Sequence, residues 1–109
     1  MRPVNRYHLS MDKKDEKLLW LNHAHVDEAS FNRVFGRVLA KLRGSDDFSP
    51  TRTAQHSGLD RAFLYAIERG EKGISLFTLF RIASASKLSA ADIVRLLEQE
   101  LSADPGAEK

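Results

Sequence analysis

The sequence contains no cysteine, which excludes disulfides and thiolate metal sites. No apolar run approaches the roughly 18–20 residues of a membrane span. The opening stretch, MRPVNRYHLSMDKKDEK, lacks the apolar core of a secretion signal. A soluble cytoplasmic chain is therefore expected. Glycine and proline are scarce, at six and three of 109 residues, and nothing alternates with the period of a half-buried strand. There is no glycine-rich loop to cradle phosphate. His8, His23 and His25 have no acidic or thiol ligand at a useful spacing, so no metal is expected. His56, Ser57 and Asp60 lie close in sequence, but neighbours on one helix point apart and cannot form a triad. No enzyme and no cofactor are expected.

What the chain has is helical periodicity and a small basic surplus. Net charge is +2, and it is unevenly spread. Residues 1–30 are neutral, residues 31–101 carry eleven basic and eight acidic side chains, and residues 102–109 are slightly acidic. A surplus on the central part permits a polyanionic partner without establishing one.

From residue 28 onward the pattern reads as five helices. Phe31, Val34, Phe35, Val38, Leu39 and Leu42 form one apolar face of the first, which ends near Arg43. Arg33, Arg37 and Lys41 recur every fourth residue on another face, either as a solvated face or as a basic edge near phosphate. Ser49 followed by Pro50 is a helix start. Gly58 stops that helix in a left-handed conformation. Asp60 caps a third helix, 61–69, which Gly70 ends. Ser75 caps a fourth, running to about Ser86, and Ser89 a fifth, running from Ala90 to about Leu101. Residues 1–27 are expected to form a partly disordered N-terminal extension, and 102–109 a disordered tail. Within the extension, Leu18, Leu19, Trp20 and Leu21 are either a short helical element packed on the domain or an arm that holds a protein partner.

Two short helices joined by a tight turn with glycine make a helix-turn-helix. Ala54 should be small where they cross, with Leu59, Leu64 and Ile67 filling the space behind. The stretches FGRVLAKLR, FSPTRTAQHSGLDRAFLYAIERG and ISLFTLFRIASASKLSAADIV, between about residues 35 and 97, resemble the phage repressor/Cro-type helix-turn-helix regulators. The pattern of LDR, FL, ERG and ISL is similar to the restriction–modification controllers and to regulators on mobile elements.

The resemblance implies an all-α, compact five-helix repressor-like DNA-binding domain, bacterial or phage-encoded. It implies a sequence-specific transcriptional regulator, working as a homodimer on a pseudo-palindromic operator in double-stranded DNA. Residues 61–69 would enter the major groove. Arg61 would read guanine with two hydrogen bonds, and Ala62, Tyr65 and Ala66 would complete the base-facing side. Arg52, Phe63, Arg69 and Lys72 would meet the DNA backbone. Arg43 and Glu68 stand where the family has an ion pair. Glu68 lies about 40° round the helix from Leu64, at about 100° per residue, and so should be partly buried. The expected dimer seam is Ile93, Leu97 and Leu101, with Phe77 and Phe80 beside it.

Two residues depart from the family pattern. Pro50 stands where glutamine is usual and has no N–H to donate. Thr53 takes the place of a common leucine, which should weaken local packing. Arg61 is also nearly alone as a polar base reader, so specificity would lean on DNA shape or on residues outside the helix. Two other functions suit the same fold: an antitoxin-type autoregulator whose N-terminal arm holds a toxin, or a protein-interaction module that does not bind DNA.

Overall fold

A computed structural model describes residues 27–103. The N-terminal arm with Trp20, and His8, His23 and His25, lie outside the described residues, as does the end of the tail. Five helices follow in order: α1 (Glu28–Gly44), α2 (Pro50–Ser57), α3 (Arg61–Glu68), α4 (Leu76–Ser84) and α5 (Ala90–Ala103). Among the described residues there is no strand, and no helix is long and apolar enough to cross a membrane.

Local chemistry sets most of the helix ends. Asp27, Ser49, Asp60 and Ser75 each accept a backbone N–H at the start of α1 to α4. At α5 the capping is reciprocal. Ser89 Oγ accepts from the Asp92 amide at 3.1 Å, and the Asp92 carboxylate accepts from the Ser89 amide at 3.2 Å. Those bonds to Ser89, backbone first, hold the Asp92 carboxyl below its ordinary range. The fourth helix stops at Ser84, two residues earlier than its pattern suggests. There the amides of Ala85 and Ser86 turn to the carbonyls three residues back. Ser86 Oγ also bonds Ala83 O and Leu88 O, a serine competing with the helix it follows.

The core is one cluster. Val34, Val38 and Leu39 of α1, Leu64 and Ile67 of α3, Ile82 of α4 and Ile93 of α5 are almost wholly enclosed. Phe48, in the loop after α1, is the largest of the fully buried side chains. Its amide and that of Asp47 both return to Leu42 O, which folds the loop under the domain. Sequence periodicity missed Phe48 because it sits outside any helix.

The expected dimer seam needs correction. Ile93, Leu97 and Leu101 are buried within the single chain, at 0 %, 6 % and 2 % exposure. They close the core against α1 and α4. A stripe at helical spacing declares an apolar face, and here that face is taken up inside the monomer.

Candidate nucleic-acid interface

The helix-turn-helix is built by α2 and α3. Gly58 ends α2 with φ of 75°, the left-handed conformation that favours glycine, and its N–H returns to Ala54 O at 3.0 Å. Asp60 then starts α3 by accepting the Ala62 amide at 2.9 Å. Ala54 and Leu59 pack against the core from this unit.

The turn has a brace that the sequence reading missed. The Arg81 guanidinium, from α4, donates to the Ser57 carbonyl. It also lies 5.5 Å from the centroid of the Phe77 ring. The contact joins residues 24 apart, and no local pattern announces it.

The base of α3 is held just as tightly. Gly70 has φ of 78°, its N–H bonds Ile67 O at 2.9 Å, and the Glu71 N–H bonds Ala66 O at 3.0 Å. This pair of bonds is a Schellman end. A Cβ on Gly70 would also lie 2.9 Å from Arg33 Cα. On α1, a Cβ on Gly36 would lie 2.4 Å from Glu68 O and 2.7 Å from Ile67 O, so only glycine lets α1 lie against the end of α3. Arg43 Nε donates to both Glu68 oxygens, at 3.1 and 2.9 Å. The Glu68 side chain is only 7 % exposed, whereas that of Arg43 is half exposed. Hydrogen bonding to Glu68, then its charge, raises the Arg43 pKa further above its usual value.

With the rear of α3 fixed in this way, its outer surface is defined. Arg61, Ala62 and Tyr65 are exposed there. Arg61 Nη1 donates to Thr51 Oγ1 at 3.2 Å, bridging the starts of α3 and α2. Thr51, Ala54, Gln55 and Arg61 line a shallow cleft of about 350 Å³. Gln55 is a polar member of this surface that sequence reasoning did not single out. Its place four residues after Thr51 on α2 was the available signal.

Ala66 does not share the outer surface. It was expected to face outward but is only 6 % exposed. α3 is flanked by both α1 and α2, and the Schellman turn folds Glu71 back beside it, so more than one stripe of the helix is covered. Phe63 is half-buried and packs against the core rather than standing free.

The expected backbone-contacting cations are placed unequally. Arg69 is exposed but shares two hydrogen bonds with Glu71, at 2.8 and 3.1 Å. Lys72 is exposed in the loop that follows. Arg52 is half-buried, and its Nη2 is enclosed with no hydrogen-bond partner among the described residues. Its amide is already used by Ser49 Oγ at 3.1 Å. With Pro50 lacking a donor, few free N–H groups remain at the start of α2. Thr53 is fully enclosed, and its hydroxyl likewise has no hydrogen-bond partner. On α1, Lys41 pairs with Glu100 at 2.6 Å and Arg33 with the Ser30 hydroxyl at 3.3 Å.

No protein-family model and no curated protein sequence matches the chain. Among solved structures, the chain is similar to the restriction–modification controller protein C.AhdI from Aeromonas hydrophila. The two share 31 % identity with a TM-score of 0.51, over 57 % of this chain and 94 % of that one.

Proposed function

Because the chain belongs to the helix-turn-helix regulators of the restriction–modification controller type, we propose that it is a sequence-specific transcription regulator that reads duplex DNA as a homodimer. The observation that carries this reading is the outer surface of α3. Arg61, Ala62 and Tyr65 stand exposed on a helix whose rear is fixed by Gly36, Gly70 and the Arg43–Glu68 pair.

In the major groove Arg61 exchanges its neutral partner, the Thr51 hydroxyl, for guanine O6 and N7. Ala62 allows close approach of the backbone and can meet a thymine methyl. The Tyr65 hydroxyl donates to a base or a phosphate. Gln55, beside Arg61, supplies an amide that can both donate and accept. Lys72 and Arg69 contact phosphate, with Arg69 leaving Glu71 to do so. Arg52 contributes through the part of its guanidinium that is not enclosed. With so few base readers on α3, shape and deformability of the operator supply part of the specificity.

One such unit reads only a few base pairs, and a dimer doubles the contacts. The seam we assign is the outer face of α4, where Leu76, Phe77 and Phe80 are 70 %, 70 % and 58 % exposed. An apolar face of this size on a small domain marks a protein contact. Two-fold pairing would place the two α3 helices in successive major grooves, about 34 Å apart. The role we assign to it is that of a repressor or autoregulator.

The deciding experiment is selection from a randomised DNA pool, with the salt dependence of binding to the selected sequence. A two-fold symmetric motif and a log–log salt slope of several units are expected. Weak binding without enrichment would instead favour a protein-interaction module of the same fold, to which the apolar α4 face already lends itself.

A further inference from the structure

A second apolar feature lies apart from the reading surface. It is a groove of about 410 Å³ between the first two turns of α1, the start of α4 and the middle of α5. Phe31, Phe35, Ile74, Leu76, Val94 and Leu97 line it. Phe31, Leu76 and Val94 remain substantially exposed there, so the groove is open and apolar rather than filled by the domain itself.

We infer that this groove is the seat of the chain's own N-terminal segment Leu18–Leu21, bound in cis. Three observations favour that occupant. The first is composition: Leu-Leu-Trp-Leu is the longest uninterrupted apolar run outside the described residues. Such a run left in water would forgo about 25 cal/mol for each Å² of apolar surface it could bury.

The second is reach. Six Cα–Cα steps separate Leu21 from Asp27, and an extended chain of that length spans about 20 Å. From Asp27 to Phe35, along α1, is about 12 Å. The cap fixes where the arm must depart, because the Ser30 amide bonds the Asp27 carboxylate at 2.7 Å. That length of chain is therefore enough to carry Leu21 from Asp27 as far as Phe35 in the groove wall.

The third is shape. A two-fold contact pairs a patch with its own copy, so a concave patch would leave itself unfilled. Phe77 and Phe80 of the face assigned to self-pairing lie outside the groove lining, and only Leu76 belongs to both. The connecting residues, Asn22, His23, Ala24, His25 and Val26, are mostly polar or small and suit a solvent-facing return.

The chain carries a direct probe. Trp20 is its single tryptophan, so indole emission reports the arm alone. In the full-length native protein, emission is expected to be blue-shifted from that of the urea-unfolded chain, with reduced acrylamide quenching, at every protein concentration. Val94→Glu and, separately, Phe31→Gln place polarity in the groove at partly exposed positions. Each is expected to return emission and quenching to the unfolded values while far-ultraviolet circular dichroism is retained.

An indole that is solvent-exposed in the native chain overturns the proposal. A blue shift that survives both groove variants assigns the arm to another surface and also overturns it. A shift that appears only as protein concentration rises means that a second copy supplies the arm, against binding in cis. Operator selection is read separately, so failure of DNA recognition leaves these outcomes distinguishable.

Discussion

The neighbouring short helices α3 and α4 use their exposed positions in opposite ways. Both bury an apolar stripe in the same core. On its free side α3 shows Arg61, Ala62 and Tyr65, while α4 shows Leu76, Phe77 and Phe80. A cation, a methyl and a phenol suit the hydrated, hydrogen-bonding floor of a DNA groove. Two phenyl rings and a leucine suit a partner that excludes water. On the proposed function, two helices that share one core serve different surroundings, and the difference lies in their exposed residues.

Changing Gly36→Ala should break the comparison altogether, because it attacks the support of α3. The new methyl cannot be accommodated without moving α1 from the carbonyls of Ile67 and Glu68. Overpacking of this kind costs about 1–3 kcal/mol or more. Thermal unfolding should show the loss, and operator affinity should fall with it. If Gly36→Ala melted like the parent, the close helix approach would be refuted.

The two free faces should then differ in their largest effect. Phe77→Ser with Phe80→Ser is expected to weaken dimerisation by at least about 2 kcal/mol, as removing central aromatic anchors does. Sedimentation equilibrium would measure it, and the monomer should unfold at nearly the parental temperature. An unchanged dimer would move the seam elsewhere. Arg61→Ala should leave both fold and dimer intact and cost about 1–3 kcal/mol of operator affinity, with preference relaxed at one base position. Equal weakening on all DNA sequences would reduce Arg61 to a backbone contact.

The smallest effect tests the part of the unit that serves neither face. Thr53→Val keeps the shape of an enclosed side chain and removes a hydroxyl that has no hydrogen-bond partner among the described residues. A gain of about 1 kcal/mol is expected. In a domain of this size that corresponds to a rise of about 4–8 °C in melting temperature. A lower melting temperature would mean that the hydroxyl is satisfied in solution.

What could be read from the sequence follows the range of the interactions. Ser49, Asp60, Ser75 and Gly58 announce helix ends because their chemistry acts within three or four residues. The five helices and their order follow from those signals and from 3.6-residue periodicity. Periodicity reveals that a face is apolar and is silent on what it meets. That is why Ile93, Leu97 and Leu101 read as a seam although they close the core, and why Ala66 read as outward although a turn covers it. Gly36 and Arg81 stayed hidden for a related reason. The space that one needs and the carbonyl that the other holds are supplied by segments 24 or more residues away.

Arg81 joins the two specialised faces. Its stem rises from α4, its guanidinium lies over the Phe77 ring, and its donor ends on the Ser57 carbonyl in the turn between α2 and α3. One side chain is thus a strut between the surface we assign to a protein partner and the surface we assign to DNA. Struts carry load in both directions. On the proposed function, a neighbour that pressed Phe77 into place would also steady the turn, and an operator that pulled on the turn would pull on the ring. Assembly and reading would then share a lever one residue long.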